Sequence, residues 1–213
     1  MKKLKEKNKN RLITIGSFLV IVICLIIIGF EVFSMNQIKE NNEALLNDFF
    51  EEQEVIAEQE ENVSFDIKEE QKPIQEIKEK ESYIGVIEIK KINLTQGFYN
   101  INSKNNDVNK NIQVIKESNM PDVIAGNLII AGHSGNGKYS YFRNLKKLEI
   151  KDEAIVHYQG KSYEYTLVDK YEINKDGTAK IKRNKNKNIL TLITCKENSN
   201  KQIVFIFELK TIN

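Results

Sequence analysis

The sequence predicts a mainly β domain preceded by one transmembrane helix and an acidic stalk, and three observations predict it. Residues 12–30 read LITIGSFLVIVICLIIIGF without a charged side chain, long enough to cross a bilayer core as a helix. From about Tyr83 onward the apolar residues fall into short runs bounded by Gly, Asn and Asp, the pattern of strands and turns. Charge separates the two regions: residues 31–81 hold sixteen acids against five bases, and residues 82–213 hold thirteen acids against twenty-one bases. The net charge of +2 conceals an acidic stalk joined to a basic head.

Segment 1–11 carries six basic residues and one acid. Positive charge beside a membrane span holds that end in the cytoplasm and sends the remainder outward. Residues 12–33 read as an uncleaved signal anchor, because bulky Phe30, Val32 and Phe33 occupy the exit region where a cleavage site needs small residues. Residues 34–81 form the stalk. Helical spacing shows at Ala44, Leu45 and Phe49 and again at Val55 and Ile56, but no heptad persists and the pattern breaks near Pro73. A solvated spacer, partly helical and partly disordered, is expected there rather than a coiled coil.

The head, 82–213, is large enough to bury its own core. Its runs YIGVIEIKKINL, NLIIAGHS, EAIVHYQGKSYEYTLVDKYEI, NILTLIT and QIVFIFELK read as strands. Gln159-Gly160 marks a hairpin and Asp176-Gly177 a second turn. Runs such as Val204 to Phe207, apolar on both faces, suit a sandwich or closed barrel better than a half-exposed sheet. Only SYFRNLKKLE has strong helical spacing, through Phe142, Leu145 and Leu148.

Cys24 lies within the membrane run, so Cys195 is the only cysteine outside it. Extracytoplasmic domains usually pair their cysteines or lack them, so Cys195 is either buried filler or a thiol kept for its chemistry. His157 sits mid-strand as an ordinary strand residue. His133 ends an apolar run at a Gly-His-Ser-Gly turn, and Cys195 ends its own run in the same manner. On one rim, an imidazole would activate the thiol as a nucleophile. No metal or other cofactor is called for: two separated histidines and one cysteine lack zinc-ligand spacing, no loop resembles an EF-hand, and GHSGNG lacks the ending of a phosphate loop. The basic head suits anionic wall polymer or lipid head groups rather than nucleic acid, and most of its lysines are solvated surface.

Ala131-Gly132-His133 followed by Thr191-Leu192-Ile193-Thr194-Cys195, with IGVIEIKKINL as first strands, resembles the sortases, membrane-anchored cysteine transpeptidases of Gram-positive bacteria. The resemblance covers residues 84–210. It implies a closed eight-stranded sortase-type β-barrel, with His133 and Cys195 on one rim. It also implies a reaction: cleavage of a Leu-Pro-x-Thr-Gly-like sorting signal on a secreted protein, acylation of Cys195, and transfer to an amine of a peptidoglycan precursor or a pilin. Thr194 is expected beside the substrate backbone. Two positions depart from the family: Lys90 stands where proline is usual, and no arginine opens the last strand. Lys201 occupies that position, with Gln202 one step away, and Arg143 and Arg183 are the head's only arginines. Lys201 is the expected stand-in, with Gln202 and Arg183 as alternatives. A hydrolytic or inactive relative, and a non-catalytic membrane-tethered peptide-binding module, are the competing readings.

Overall fold

The computed structural model describes residues 2–62, 82–176 and 180–213. The break expected near Pro73 and the turn residue Gly177 lie outside the described residues. By contacts the chain divides into residues 1–43 and 44–213. Helix α1 runs Lys2–Asn62 without interruption. Within its first part, side chains from Ile15 to Phe30 are apolar apart from Ser17 and mostly exposed, among them Phe18 at 69% and Phe30 at 72%. A helix apolar all round is built for hydrocarbon. From Ile15 onward α1 is long and apolar enough to cross a membrane.

The second unit is a barrel of eight strands: β1 Gly85–Ile89, β2 Leu94–Phe98, β3 Gln113–Val114, β4 Asn127–Gly132, β5 Glu153–Tyr158, β6 Lys161–Asn174, β7 Ile189–Cys195 and β8 Lys201–Ile212. Their order is β2-β1-β5-β6-β8-β7-β4-β3. All neighbours are antiparallel except β4 and β7. Alternation sends Ile87, Ile89, Leu128, Ile130, Leu190, Leu192, Phe205 and Phe207 into one core. No strand ladder joins edge strands β2 and β3 among the described residues. Buried amides span that seam: Gln96 Nε2 donates to Asn111 Oδ1 at 2.6 Å, and Asn111 Nδ2 donates to Gly97 O at 2.8 Å. The barrel is therefore nearly closed.

Three local outcomes bear on the expectations. Gln159 and Gly160 both have positive φ, 48° and 74°, as a two-residue hairpin turn requires. The segment SYFRNLKKLE forms turns and one 3-10 turn, Leu145–Lys147, instead of an α-helix. Its apolar residues recur every three positions, which a three-residue turn stacks on one side, and Phe142, Leu145 and Leu148 are fully buried. Lys90 is exposed and opens a 3-10 turn, Lys90–Ile92, a first-turn position that proline also suits. The stalk differs too: residues 44–56 are helical and packed. Leu45, Leu46 and Phe49 join Tyr83, Val86 and Tyr99 in a separate apolar cluster.

Candidate active site

Parallel pairing of β4 with β7 sets the site. Its register ends at Gly132↔Thr194, so the next residue on each chain is His133 and Cys195. Paired strand residues share a face, and the two therefore stand side by side at one rim. They line an open cleft of about 440 Å³ with Ser134, Gly135, Asn136, Lys196, Glu197 and Asn198. Cys195 is half-buried and its thiol is free.

Two hydroxyls hold the ends together. Thr194 Oγ1 donates to Gly132 O at 2.7 Å, and Ser134 Oγ donates to Cys195 O at 2.6 Å. They continue the ladder past its last backbone pair and fasten the residues flanking His133 to those at the thiol. His133 Nε2 lies 3.4 Å from Asn109 Oδ1. An oxygen there accepts from a protonated Nε2 and leaves Nδ1 as the basic nitrogen. Arg143 Nε donates to Gly135 O at 2.9 Å and steadies the loop after His133. The sequence carries no signal for these roles of Ser134, Asn109 and Arg143, because each lies far in the chain from its partner or in an irregular loop.

Three other residues singled out in the sequence take the following places. Thr194 is 3% exposed and points inward to Gly132, since alternation along β7 puts it on the face opposite Cys195. Lys201 Nζ lies 3.1 Å from Glu172 Oε2, an oxygen pair completed by Lys196 on the same carboxylate. In β8 the residue paired with Cys195 is Gln202, so alternation turns Lys201 to the other face. Arg183 Nη1 donates to Ala125 O at 3.0 Å, which commits it to the loop before β4. His157 lies on β5 beside Ser162 and Glu88, with β6 and β8 between it and Cys195.

The face of Cys195 continues as an apolar surface opposite the barrel core. Ile129, Ile189, Ile193, Val204 and Ile206 form it, with Ile115, Tyr171, Ile173 and Ile181 packed against it.

A nearly closed β-barrel with a thiol and an imidazole on adjoining strand ends is a framework suited to acyl transfer through cysteine. A family model described as the Sortase domain matches residues 87–209, and the chain belongs to the sortase family, a family of transpeptidases. No curated protein sequence matches the chain. Among solved structures, a lid mutant of sortase A from Corynebacterium diphtheriae is 19% identical with a TM-score of 0.56, covering 64% of this chain and 74% of that one. Sortase C1 from Streptococcus agalactiae is 23% identical with a TM-score of 0.55, covering 64% and 72%. Sortase C-3 from Streptococcus pneumoniae is 21% identical with a TM-score of 0.55, covering 78% and 85%. At these identities the structural likeness speaks to the fold.

Proposed function

We propose that this chain is a membrane-anchored cysteine transpeptidase that cuts a Leu-Pro-x-Thr-Gly-like sorting signal on secreted proteins and transfers the upstream protein to an amine. The observation that carries the reading is the β4–β7 register, which ends one residue before both His133 and Cys195. In the first half-reaction the Cys195 thiolate attacks the threonine carbonyl, forming a C–S bond and moving the π electrons onto oxygen. Collapse expels the glycine amine, which takes a proton from the His133 imidazolium, and leaves a thioester. An acceptor amine then attacks the thioester, gives a proton back to His133, and releases the thiolate. The acceptor is an amine of a peptidoglycan precursor or a pilin lysine. The apolar face from Ile193 to Ile206, partly covered by Ile181, supports binding of the signal's leucine and proline. The orientation follows the basic flank of the anchor: N-terminus in the cytoplasm, head outside, where substrate and lipid-linked acceptor meet.

The test incubates the full chain in detergent with a library of sorting-signal peptides, with and without hydroxylamine. A hydroxamate of the upstream fragment is expected with hydroxylamine, and an amide with an added amine. His133→Ala should lose roughly 10²- to 10⁴-fold in rate, and His157→Ala far less. Equal losses at the two histidines, with both variants folded, would contradict the assignment. Peptides cut only to the free acid whatever amine is present would indicate a hydrolase.

A further inference from the structure

We propose that Gln202 supplies the hydrogen-bond donor to the substrate carbonyl oxygen when the Cys195 thiolate attacks, through its neutral side-chain amide. The proposal rests on the transpeptidase reading above.

The ladder between β7 and β8 carries it. Lys196 N donates to Lys201 O at 2.9 Å, and at the far end Leu209 N donates to Asn188 O at 2.9 Å. Antiparallel ladders alternate hydrogen-bonded with non-hydrogen-bonded pairs. Counting inward from either end makes Cys195↔Gln202 a non-hydrogen-bonded pair, the kind whose side chains approach most closely, with Cβ atoms roughly 4.5–5.5 Å apart. The carbonyl of Cys195 turns the other way, to Ser134 Oγ, consistent with that assignment. Gln202 thus shares the thiol's face as its direct cross-strand neighbour.

Gln202 is half-buried, and its amide has no hydrogen-bond partner among the described residues. The cations that could compete are occupied. Lys201 and Lys196 both sit on Glu172, Arg183 on Ala125 O, and Arg143 on the carbonyls of Gly135 and Gly137. Attack at the carbonyl carbon places negative charge on an oxygen one bond from the carbon that binds Sγ. A donor on the neighbouring strand, aimed over the same face, reaches that oxygen at the stage where charge develops. Gln202 offers two N–H donors and no charge, so it stabilises the tetrahedral oxyanion without holding the thiolate as a permanent ion pair.

The experiment compares wild type, Gln202→Met and Gln202→Glu, with Lys201→Ala as the cation control, in the full chain, using a sorting-signal peptide cut by the wild type. Met keeps the length without a donor; Glu keeps the shape and offers only acceptors. Three readouts are taken: the single-turnover acylation rate, the rate of Cys195 alkylation by iodoacetamide, and the melting temperature. Acylation is expected to fall about 10²- to 10³-fold in both variants, the loss seen when one oxyanion donor is removed, while alkylation stays within about twofold and melting is unchanged. Acylation at the wild-type rate in Gln202→Met overturns the proposal. So does a parallel fall in alkylation, which would place the effect on the thiol, or an equal loss in Lys201→Ala, which would return the donor to the cation. A wild type that is alkylated at Cys195 yet cuts no sorting-signal peptide defeats the transpeptidase reading itself, an outcome distinct from any result with the variants.

Discussion

Gly132 has no room for a side chain, because a Cβ built there would lie 2.7 Å from the Phe142 ring. Phe142 N in turn donates to His133 O at 3.0 Å, so the turn packed on Gly132 also ties down the backbone of His133. Gly132→Ala should cost about 1–3 kcal/mol, as overpacking does, and lower activity through His133; urea unfolding and peptide cleavage measure the two. Tyr165 presents the opposite case. Its ring fills the core, yet its hydroxyl has no partner among the described residues, and burial pushes its pKa far up. Removing an unsatisfied buried hydroxyl should help, so Tyr165→Phe is expected to stabilise the fold by about 1 kcal/mol in urea. Destabilisation would mean that the hydroxyl is satisfied in solution. At this scale the strand-end placement of His133 and Cys195 is legible in the sequence, since both end apolar runs. Which of Lys201 and Gln202 shares the face of Cys195 is not legible, because a one-residue change of register exchanges the two faces of a strand.

Among the elements, α1 departs furthest from what the stalk composition suggests. Asn, Asp and Glu surround Leu45, Leu46 and Phe49 in sequence, which reads as a solvated spacer. Phe49 nevertheless buries to 2% against Tyr83, Val86 and Tyr99, Phe50 meets the His157 ring edge-on at 5.4 Å, and Gln53 accepts from Gly160 N. The partner surface is legible only afterwards: β1 turns Ile87 and Ile89 inward and buries Val86 on its outer face, where the helix covers it. Phe49→Ala should cost about 3 kcal/mol, read by thermal or urea unfolding of the full chain; a cost near zero would mean that this helix does not stay docked. The β7–β8 turn has its own clasp, since Glu172 binds Lys196 and Lys201, the two residues that close it. Hydrogen bonds from Lys196 and then Lys201 hold the Glu172 carboxyl below its ordinary value of 4.5. A depressed carboxylate contributes above its unfolded pKa, and the contribution is lost as pH falls through the folded one. Amide-exchange protection of Lys196 should therefore hold at pH 5 and weaken on acidification below the unfolded value. Glu172→Gln should remove that pH dependence.

At the scale of the whole molecule, the acidic stalk and basic head differ in charge, and the apolar part of α1 precedes both in the sequence. Protease added to intact, wall-stripped cells should digest the head, and its survival until the membrane is opened would refute the outward orientation. The barrel itself is legible because its strands are short, apolar runs between turn residues. Its seam is not, because Gln96 and Asn111 look like solvated polar residues until Asn111 is seen bridging to Gly97. The central claim is that Cys195 becomes acylated, and the most direct measurement is the intact mass of the full-length protein quenched in acid during turnover of a sorting-signal peptide. A mass increase equal to the upstream acyl fragment, mapped to the peptide containing Cys195, reversed by hydroxylamine and lost in Cys195→Ala, is the predicted result. Cleavage that persists in Cys195→Ala, or that proceeds in wild type with no adduct on Cys195, would contradict the account.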